Sequence, residues 1–187
     1  ELYRHISGDE KKKLRNVYLM LGYAKEAVKS LKSRDYEIRV NAIHELSLID
    51  VKDAYADIFD LINDKTEAVR DAAIKARARR SEQPLAMLKL LQYPLSTWQQ
   101  TAIYNAIVRY HEDNIPSLAP YITLDDERVV RFSVKLASIF QQVECIDELF
   151  ARLNDPSRNI RLEVISALVK FESLETKSKL VERLELV

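Results

Sequence analysis

Residues 63–80 read NDKTEAVRDAAIKARARR, and residues 154–171 read NDPSRNIRLEVISALVKF. Both stretches begin with Asn-Asp, and both place an apolar residue directly before an arginine at the same offset. The apolar-Arg pair occurs in five places: Leu14-Arg15, Ile38-Arg39, Val69-Arg70, Val130-Arg131 and Ile160-Arg161. This pattern predicts an internal repeat, and a repeat changes how every other motif in the chain is interpreted.

One copy of the repeat has no arginine. The gap between Arg70 and Arg131 is about twice the usual spacing, and Trp98-Gln99 lies near its middle. With Gln99 in the arginine position, the successive intervals are 24, 31, 29, 32 and 30 residues. We expect Trp98, in the apolar position of this copy, to fill the core; the alternative is an exposed aromatic anchor for a partner.

Each repeat predicts two antiparallel helices. The apolar-Arg pair lies on a helix with apolar residues at helical spacing, as at Ile160, Val164, Ala167 and Phe171. A shorter apolar stretch precedes it, such as PLAMLKLLQYP at residues 84–94 or IPSLAPYITL at residues 115–124. Because stacked pairs bury a common core that a single pair cannot bury, several repeats must cooperate.

We therefore predict an all-α fold, an α-solenoid of about five to six antiparallel helix pairs in one domain over residues 1–187. The approximate repeats are 1–23, 24–50, 54–81, 83–112, 114–142 and 144–172, with a C-terminal half-repeat at 174–187. The chain does not begin with methionine, so we expect a fragment of a longer protein.

The starts of the second helices carry a capping signal. An aspartate stands six residues before the arginine, where its side-chain oxygen can accept hydrogen bonds from the first helical amides. Four copies have it: Asp9, Asp64, Asp125 and Asp155. The second copy has Ser33 in this place with Asp35 nearby, and the fourth has Ser96 or Thr97 as a substitute.

The Asp, the apolar-Arg pair and the spacing in VRDAAIKA and IRLEVISAL resemble the HEAT-repeat family, in particular its short repeats of roughly 30 residues. The resemblance covers nearly the whole chain. It implies a right-handed superhelix with the second helices on the concave face and a polar ladder of Asp and Arg between adjacent repeats. The expected ladder and cap residues are Arg39, Asp64, Arg70, Asp125, Arg131, Asp155 and Arg161.

Composition excludes several classes of function. Lysine plus arginine and aspartate plus glutamate are both 29, so the net charge gives no general reason to expect a polyanionic partner. Two glycines leave no glycine-rich phosphate loop, and the single cysteine, Cys145, is expected to be a buried small hydrophobe. No apolar run approaches the ~20 residues of a membrane span. We expect a cytoplasmic protein that a segment outside this sequence could tether.

The sequence gives no signature of catalysis or of a metal site. Two His-Glu pairs, His44-Glu45 and His111-Glu112, resemble the ligands of HEAT-like di-iron hydroxylases. They fall at different phases of the repeat, so their ligands would not converge on one metal centre. We therefore expect no cofactor, no metal and no enzyme activity; a lyase, by resemblance to HEAT-like phycobilin lyases, is the third hypothesis.

A basic cluster suggests the second hypothesis. Lys75, Arg77, Arg79 and Arg80 lie close together, with Lys11–Lys13 and Arg15 as another group. HEAT-like DNA glycosylases bind duplex DNA in their groove, so the resemblance allows a nucleic-acid module. Successive cations spread around a helix, however, and do not form one stripe. We expect a protein or peptide partner and consider nucleic acid an unlikely one.

The candidate partner surface lies two and six residues after each apolar marker, on the face opposite the core. From the second copy onward these positions hold ten residues. Eight of them are the candidates, His44, Asp71, Lys75, Gln100, Tyr104, Phe132, Leu136 and Leu162, and the other two are Val40 and Ser166. The later ones are apolar for a solvated face, and contiguous exposed apolar residues commonly mark a binding surface. Two alternatives stay open: these residues pack on neighbouring repeats, or they dock another domain of the same chain.

Overall fold

The computed structural model describes residues 8–80, 84–110 and 115–171, together with residues 178 and 181. Three predictions therefore lie largely outside the described residues. They are the beginning of the first repeat at 1–7, the pair His111-Glu112, and most of the half-repeat at 174–187.

The described residues form α-helices and short 3₁₀ segments and contain no strand, which confirms the all-α prediction. Ten helices lie within residues 8–80, 84–110 and 115–171: α1 Gly8–Met20, α2 Tyr23–Ser30, α3 Tyr36–Ile49, α4 Tyr55–Asp60, α5 Glu67–Ala78, α6 Thr97–Tyr110, α7 Ala119–Ile122, α8 Glu127–Ile139, α9 Ile146–Ala151 and α10 Arg158–Val169. The chain divides into two compact units, Glu1–Ala106 and Ile107–Val187, which are described in turn.

The second helix of each predicted pair is the long one. Helices α3, α5, α6, α8 and α10 have 12 to 14 residues each. The first helices are shorter than predicted: PLAMLKLLQYP forms only a 3₁₀ segment, Pro84–Leu90, and IPSLAPYITL contains only the four-residue α7. Pro120 lies in the first turn of α7, where proline is tolerated, and a proline there hinders extension of the helix toward its N-terminal side.

In the first unit, α2 packs on α3, α3 on α5, and α4 on α5. The core is aliphatic and includes Ile43, Leu46, Ile58 and Ile74, all buried. Burial of each such side chain contributes about 1.5–3 kcal/mol before conformational entropy is subtracted. Helix α1 packs on α2 but buries none of its own residues, so it lies at the edge of this core.

In the second unit, α8 packs against α7 and α10, and α9 packs against α7 and α10. Val130, Val134 and Val164 are fully buried, as the helical spacing predicts, together with Leu149. The apolar spacing read from the sequence thus identifies the core faces of α8 and α10 correctly.

The predicted capping residues are shifted in register. The N-cap positions of α5, α8 and α10 are occupied by Thr66, Asp126 and Ser157; the side chains of Asp126 and Ser157 accept a helical N–H, and that of Thr66 does not. Asp64 and Asp155 stand two residues earlier, where their Oδ1 atoms accept the backbone N–H of Thr66 and Ser157, both at 2.8 Å. A carboxylate bonded to the amide two residues on closes a turn before the helix. The prediction of Asp64, Asp125 and Asp155 as helix caps was therefore wrong.

The repeated arginine has a local role that the sequence did not reveal. Its Nη1 donates to the carbonyl oxygen six residues earlier: Arg39 to Ser33 and Arg70 to Asp64 and Arg161 to Asp155, at 2.7–2.8 Å. A second bond reaches the carbonyl five residues earlier. The guanidinium thereby fixes the loop that leads into its own helix, because it offers several donors in a rigid fork.

Among the described residues, Arg39 makes the predicted Arg–Asp contact to the following copy, where its Nη2 donates to Asp64 Oδ1 over 3.1 Å. The equivalent partner of Arg70 is aromatic, since its guanidinium lies 4.2 Å from the ring centre of Tyr93.

Arg131 departs from the predicted ladder. Its guanidinium lies 3.9 Å from Glu127 and 3.7 Å from Glu163, and its side chain is half exposed. Arg152, which the repeat pattern did not single out, supplies the connection instead. It donates to the carbonyls of Ile122 and Leu124 and to Asp155.

Candidate functional site

A cavity of about 400 Å³ opens within the first unit between residues of α3, α5 and α6. We call it the Trp98 groove; its lining residues are Val40, His44, Ala68, Asp71, Ala72, Lys75, Trp98, Thr101, Ala102 and Asn105. Three of the eight predicted partner residues, His44, Asp71 and Lys75, are brought together there. The size is within the usual range for ligand sites in proteins.

Trp98 is 79% exposed, so the prediction that it fills the core was wrong. The next residue, Gln99, takes the buried position instead and is only 2% exposed. Its amide nitrogen donates to Asp71 Oδ1 at 2.6 Å, and its amide oxygen accepts the backbone N–H of Ser96 at 3.0 Å. These bonds allow a polar side chain to be buried, and they turn the indole of Trp98 toward solvent.

The phase of the fourth copy is therefore one residue later than predicted. Gln100 donates to the carbonyl of Leu95, five residues earlier, as the repeated arginine does in other copies. With Gln100 in the arginine position, the intervals from Arg39 onward become 31, 30, 31 and 30 residues. The pair Gln99-Gln100 is thus the counterpart of Val69-Arg70.

This correction moves the predicted groove positions of α6. Two and six residues after Gln99 are Thr101 and Asn105, and both line the Trp98 groove. Gln100 and Tyr104, which the sequence predicted, are half-buried and do not line it. In this copy the spacing of two and six residues leads to the groove once the marker is moved by one residue, from Trp98 to Gln99.

The polar groups of the groove differ in how strongly they are held. Asp71 Oδ1 accepts from Gln99 and, at 3.1 Å, from the hydroxyl of Ser96, so α5 and the start of α6 are joined at this carboxylate. Lys75 and His44 are exposed. The groove consequently presents one fixed carboxylate, one ammonium group and one imidazole.

The apolar part of the groove comes from small residues and one large one. Ala68, Ala72 and Ala102 have no side-chain atoms beyond Cβ, which leaves room above the helices. Alanine also has the highest helix propensity, so α5 and α6 stay regular while presenting a shallow surface. The exposed indole of Trp98 borders the same space, and exposed tryptophan is enriched where proteins bind each other.

The corresponding surface of the second unit is different. Phe132 is 6% exposed and Leu136 1%, so the prediction that they face a partner was wrong. Eight of the 13 residues of α8 are buried, which means that more than its core stripe is covered. Leu162 is exposed as predicted, as are Ile165 and Val169 on the same helix α10.

Neither a metal centre nor a membrane span was found in the described residues. No group of three or more His, Cys, Asp or Glu side chains there could hold a metal ion. None of the helices in the described part is both long and apolar enough to cross a bilayer. Cys145 is buried as expected, and this burial raises the pKa of its thiol to about 11.

Comparisons with known proteins find a likeness among solved structures and none among family models or curated proteins. No protein-family model matches the sequence, and no curated protein matches it. Among solved structures, the chain is similar to an engineered protein, Northeast Structural Genomics Consortium Target OR329. The identity is 17%, over 84% of this chain and 82% of that chain, with a TM-score of 0.38. A likeness of this size supports no argument about function.

Proposed function

We propose that the chain is a HEAT-like α-solenoid that acts in the cytoplasm as a non-enzymatic scaffold and binds a segment of another protein in the Trp98 groove. In this proposal the repeats stack into a right-handed superhelix whose concave side carries the second helices. The observation that supports it is the cavity along α3, α5 and α6, bordered by a tryptophan that is 79% exposed. Exposing so large an apolar ring to water costs free energy that a partner would recover.

The groove indicates the chemistry of its partner. Ala72 and Ala102 leave space for one apolar side chain beside the indole of Trp98. Lys75 is exposed at the same site and can attract a carboxylate. Thr101 and Asn105 offer a hydroxyl and an amide. The partner segment is therefore expected to combine an apolar anchor with a nearby acidic residue.

The charges of the Trp98 groove favour a protein partner over a nucleic-acid partner. A duplex partner requires several cations that each contact a phosphate. Among the residues that line the Trp98 groove, Lys75 is the only lysine or arginine, and Asp71 is the only acidic residue. A gel-shift experiment at low salt tests this alternative. If the parent chain retards duplex DNA and the Trp98→Ala variant does not, the groove binds nucleic acid and the proposal of a protein partner fails.

The decisive experiment selects peptides from a display library on the whole chain. Trp98 is the only tryptophan, so its emission reports occupancy of the groove directly. Selected peptides are expected to shift this emission and to lose at least about tenfold in affinity for Ala102→Arg, which fills the cavity. Ala86→Arg is the matched control, since Ala86 is exposed in the same unit but does not line the groove.

The proposal requires that Ala102→Arg and Ala86→Arg differ in their affinity for the selected peptides. Circular dichroism first verifies that both retain the helix content of the parent chain. If peptides bind Ala102→Arg and Ala86→Arg equally well, or bind without any change in tryptophan emission, the groove is not the binding site and the proposed function fails.

A further inference from the structure

A second cavity, of about 430 Å³, lies in the first unit and has a different chemical character. Its lining residues are Gly8, Lys11, Lys12, Arg15, Ser47, Leu48, Asp50 and Arg80. They come from α1, from the end of α3 and from the residues after α5. Two basic groups that are 65 residues apart in sequence, at Arg15 and Arg80, are thereby brought to one place. We propose that this cavity binds a small anionic ligand that carries a phosphate or pyrophosphate group.

Asp50 organises the two guanidinium groups. It follows the last residue of α3 with a φ of 64°, a left-handed conformation that aspartate adopts more readily than most residues. Its carboxylate contacts Arg80 and lies 3.7 Å from Arg15. Arg80 is held further by Tyr55, whose hydroxyl accepts from Nε at 3.2 Å. Both arginines are therefore positioned by protein contacts before any ligand binds.

The balance of charge leaves positive charge at the cavity. Four cationic side chains line it against the single carboxylate of Asp50. Asp9 adds one exposed ion pair with Lys12, at 3.3 Å. The carbonyl end of α3 contributes only about half of an elementary negative charge. Cationic side chains therefore outnumber carboxylates in the lining of this cavity, and a ligand with more than one negative charge can contact several of them.

A neutral hydrogen-bond donor completes the site. Ser47 lines the cavity, and its hydroxyl oxygen is buried without a hydrogen-bond partner among the described residues. Buried hydroxyl groups are normally paired, because an unpaired one costs about 1–3 kcal/mol. A phosphate oxygen in the cavity would accept from this hydroxyl while the arginines bind it in their fork geometry.

Isothermal titration of the full chain with inorganic pyrophosphate tests the proposal, with inorganic phosphate and a short DNA duplex titrated in parallel. Pyrophosphate is expected to bind more tightly than phosphate and more weakly as sodium chloride is raised. Removing two lysines of the cavity, Lys11→Gln with Lys12→Gln, should weaken pyrophosphate binding by about tenfold or more. Ser47→Ala should weaken it severalfold without any change in charge.

The matched control removes two exposed lysines from α2, Lys25→Gln with Lys29→Gln, which lie outside the cavity and change the net charge equally. This variant is expected to bind pyrophosphate within about twofold of the parent. The proposal is overturned if the two double variants lose equal affinity, if pyrophosphate gives no more heat than chloride at matched ionic strength, or if only the duplex binds. Thermal melts of each variant establish that the chain remains folded.

Discussion

Arg39 and Asp64 form an ion pair that is almost closed to solvent: Nη2 lies 3.1 Å from Oδ1, and the two side chains are 6% and 12% exposed. The pair joins the start of α3 to the turn before α5. Replacing Arg39→Met leaves the carboxylate buried without its counter-ion and also frees the carbonyl of Ser33. We expect the free energy of unfolding to fall by about 3 kcal/mol, measured by urea denaturation.

Arg131→Met is the matched control for this prediction, since it makes the same chemical change at the equivalent repeat position. Its ion pairs to Glu127 and Glu163 are 3.9 and 3.7 Å long and half exposed. Exposed pairs of this kind contribute about 0–1 kcal/mol. Equal losses for the two variants would contradict the view that burial determines the importance of the repeated arginine.

The exchange of roles between Trp98 and Gln99 gives the second prediction. Gln99→Leu removes the donor to Asp71 and the acceptor of the Ser96 amide, so it should destabilise the chain by about 2 kcal/mol. Trp98→Ala should change the free energy of unfolding by no more than about 0.5 kcal/mol, because the indole is largely exposed. Thermal or urea unfolding measures the loss of stability in both variants. A larger loss for Trp98→Ala than for Gln99→Leu would mean that Trp98 belongs to the core.

The same two residues show why the sequence located the repeats but misplaced one face. Apolar periodicity and the Arg marker identify the long helices, because burial of a stripe at helical spacing is a local property of the sequence. In the fourth copy, the buried residue at the marker position is Gln99, and its burial depends on a hydrogen bond to Asp71 of the preceding repeat. A pattern within one copy contains no information about a partner 28 residues away, so tryptophan was the more plausible core residue.

The second unit shows another limit of the sequence. The predicted outward positions of α8 and α10 are equivalent in the repeat, yet Phe132 is buried and Leu162 is half exposed. Periodicity defines the first face that a helix buries. Whether a second face is also covered depends on which elements pack around the helix. The neighbouring α7 has only four residues, and this short length was not predicted from the sequence.

Phe132 and Leu162 therefore provide a third test. Phe132→Ala removes a buried ring and should destabilise the chain by about 3–5 kcal/mol. Leu162→Ala, at the equivalent position of α10, should cost less than about 1 kcal/mol because water already reaches half of its side chain. Urea denaturation followed by circular dichroism measures the difference. A small effect of Phe132→Ala would mean that its ring is available to a partner after all.

Cys145 gives a prediction about reactivity. Its side chain is inaccessible, and burial raises the pKa of the thiol to about 11, so the native chain at pH 8 holds a neutral thiol. Only the thiolate attacks disulfide reagents. We expect an aromatic disulfide reagent to modify the native chain far more slowly than the chain in denaturing urea. Since there is one cysteine, the released chromophore counts this site alone; equal rates would contradict its burial.

Asp126 gives a prediction about acid. Its carboxylate caps α8 and accepts from the side chain of Arg128, and this hydrogen bond is the main cause that lowers the pKa of Asp126 below its ordinary value. A lowered folded-state pKa stabilises the fold above the unfolded pKa of about 4, and this contribution is lost as the pH falls through the folded value. Asp126→Asn keeps a capping oxygen but loses the charge. Because a third of the side chain is exposed, the parent should exceed the variant by less than about 1 kcal/mol at pH 7. Urea unfolding should show this difference shrinking as the pH falls below the unfolded pKa of about 4; a difference that stays constant as the pH falls would mean that the charge of Asp126 does not stabilise the fold.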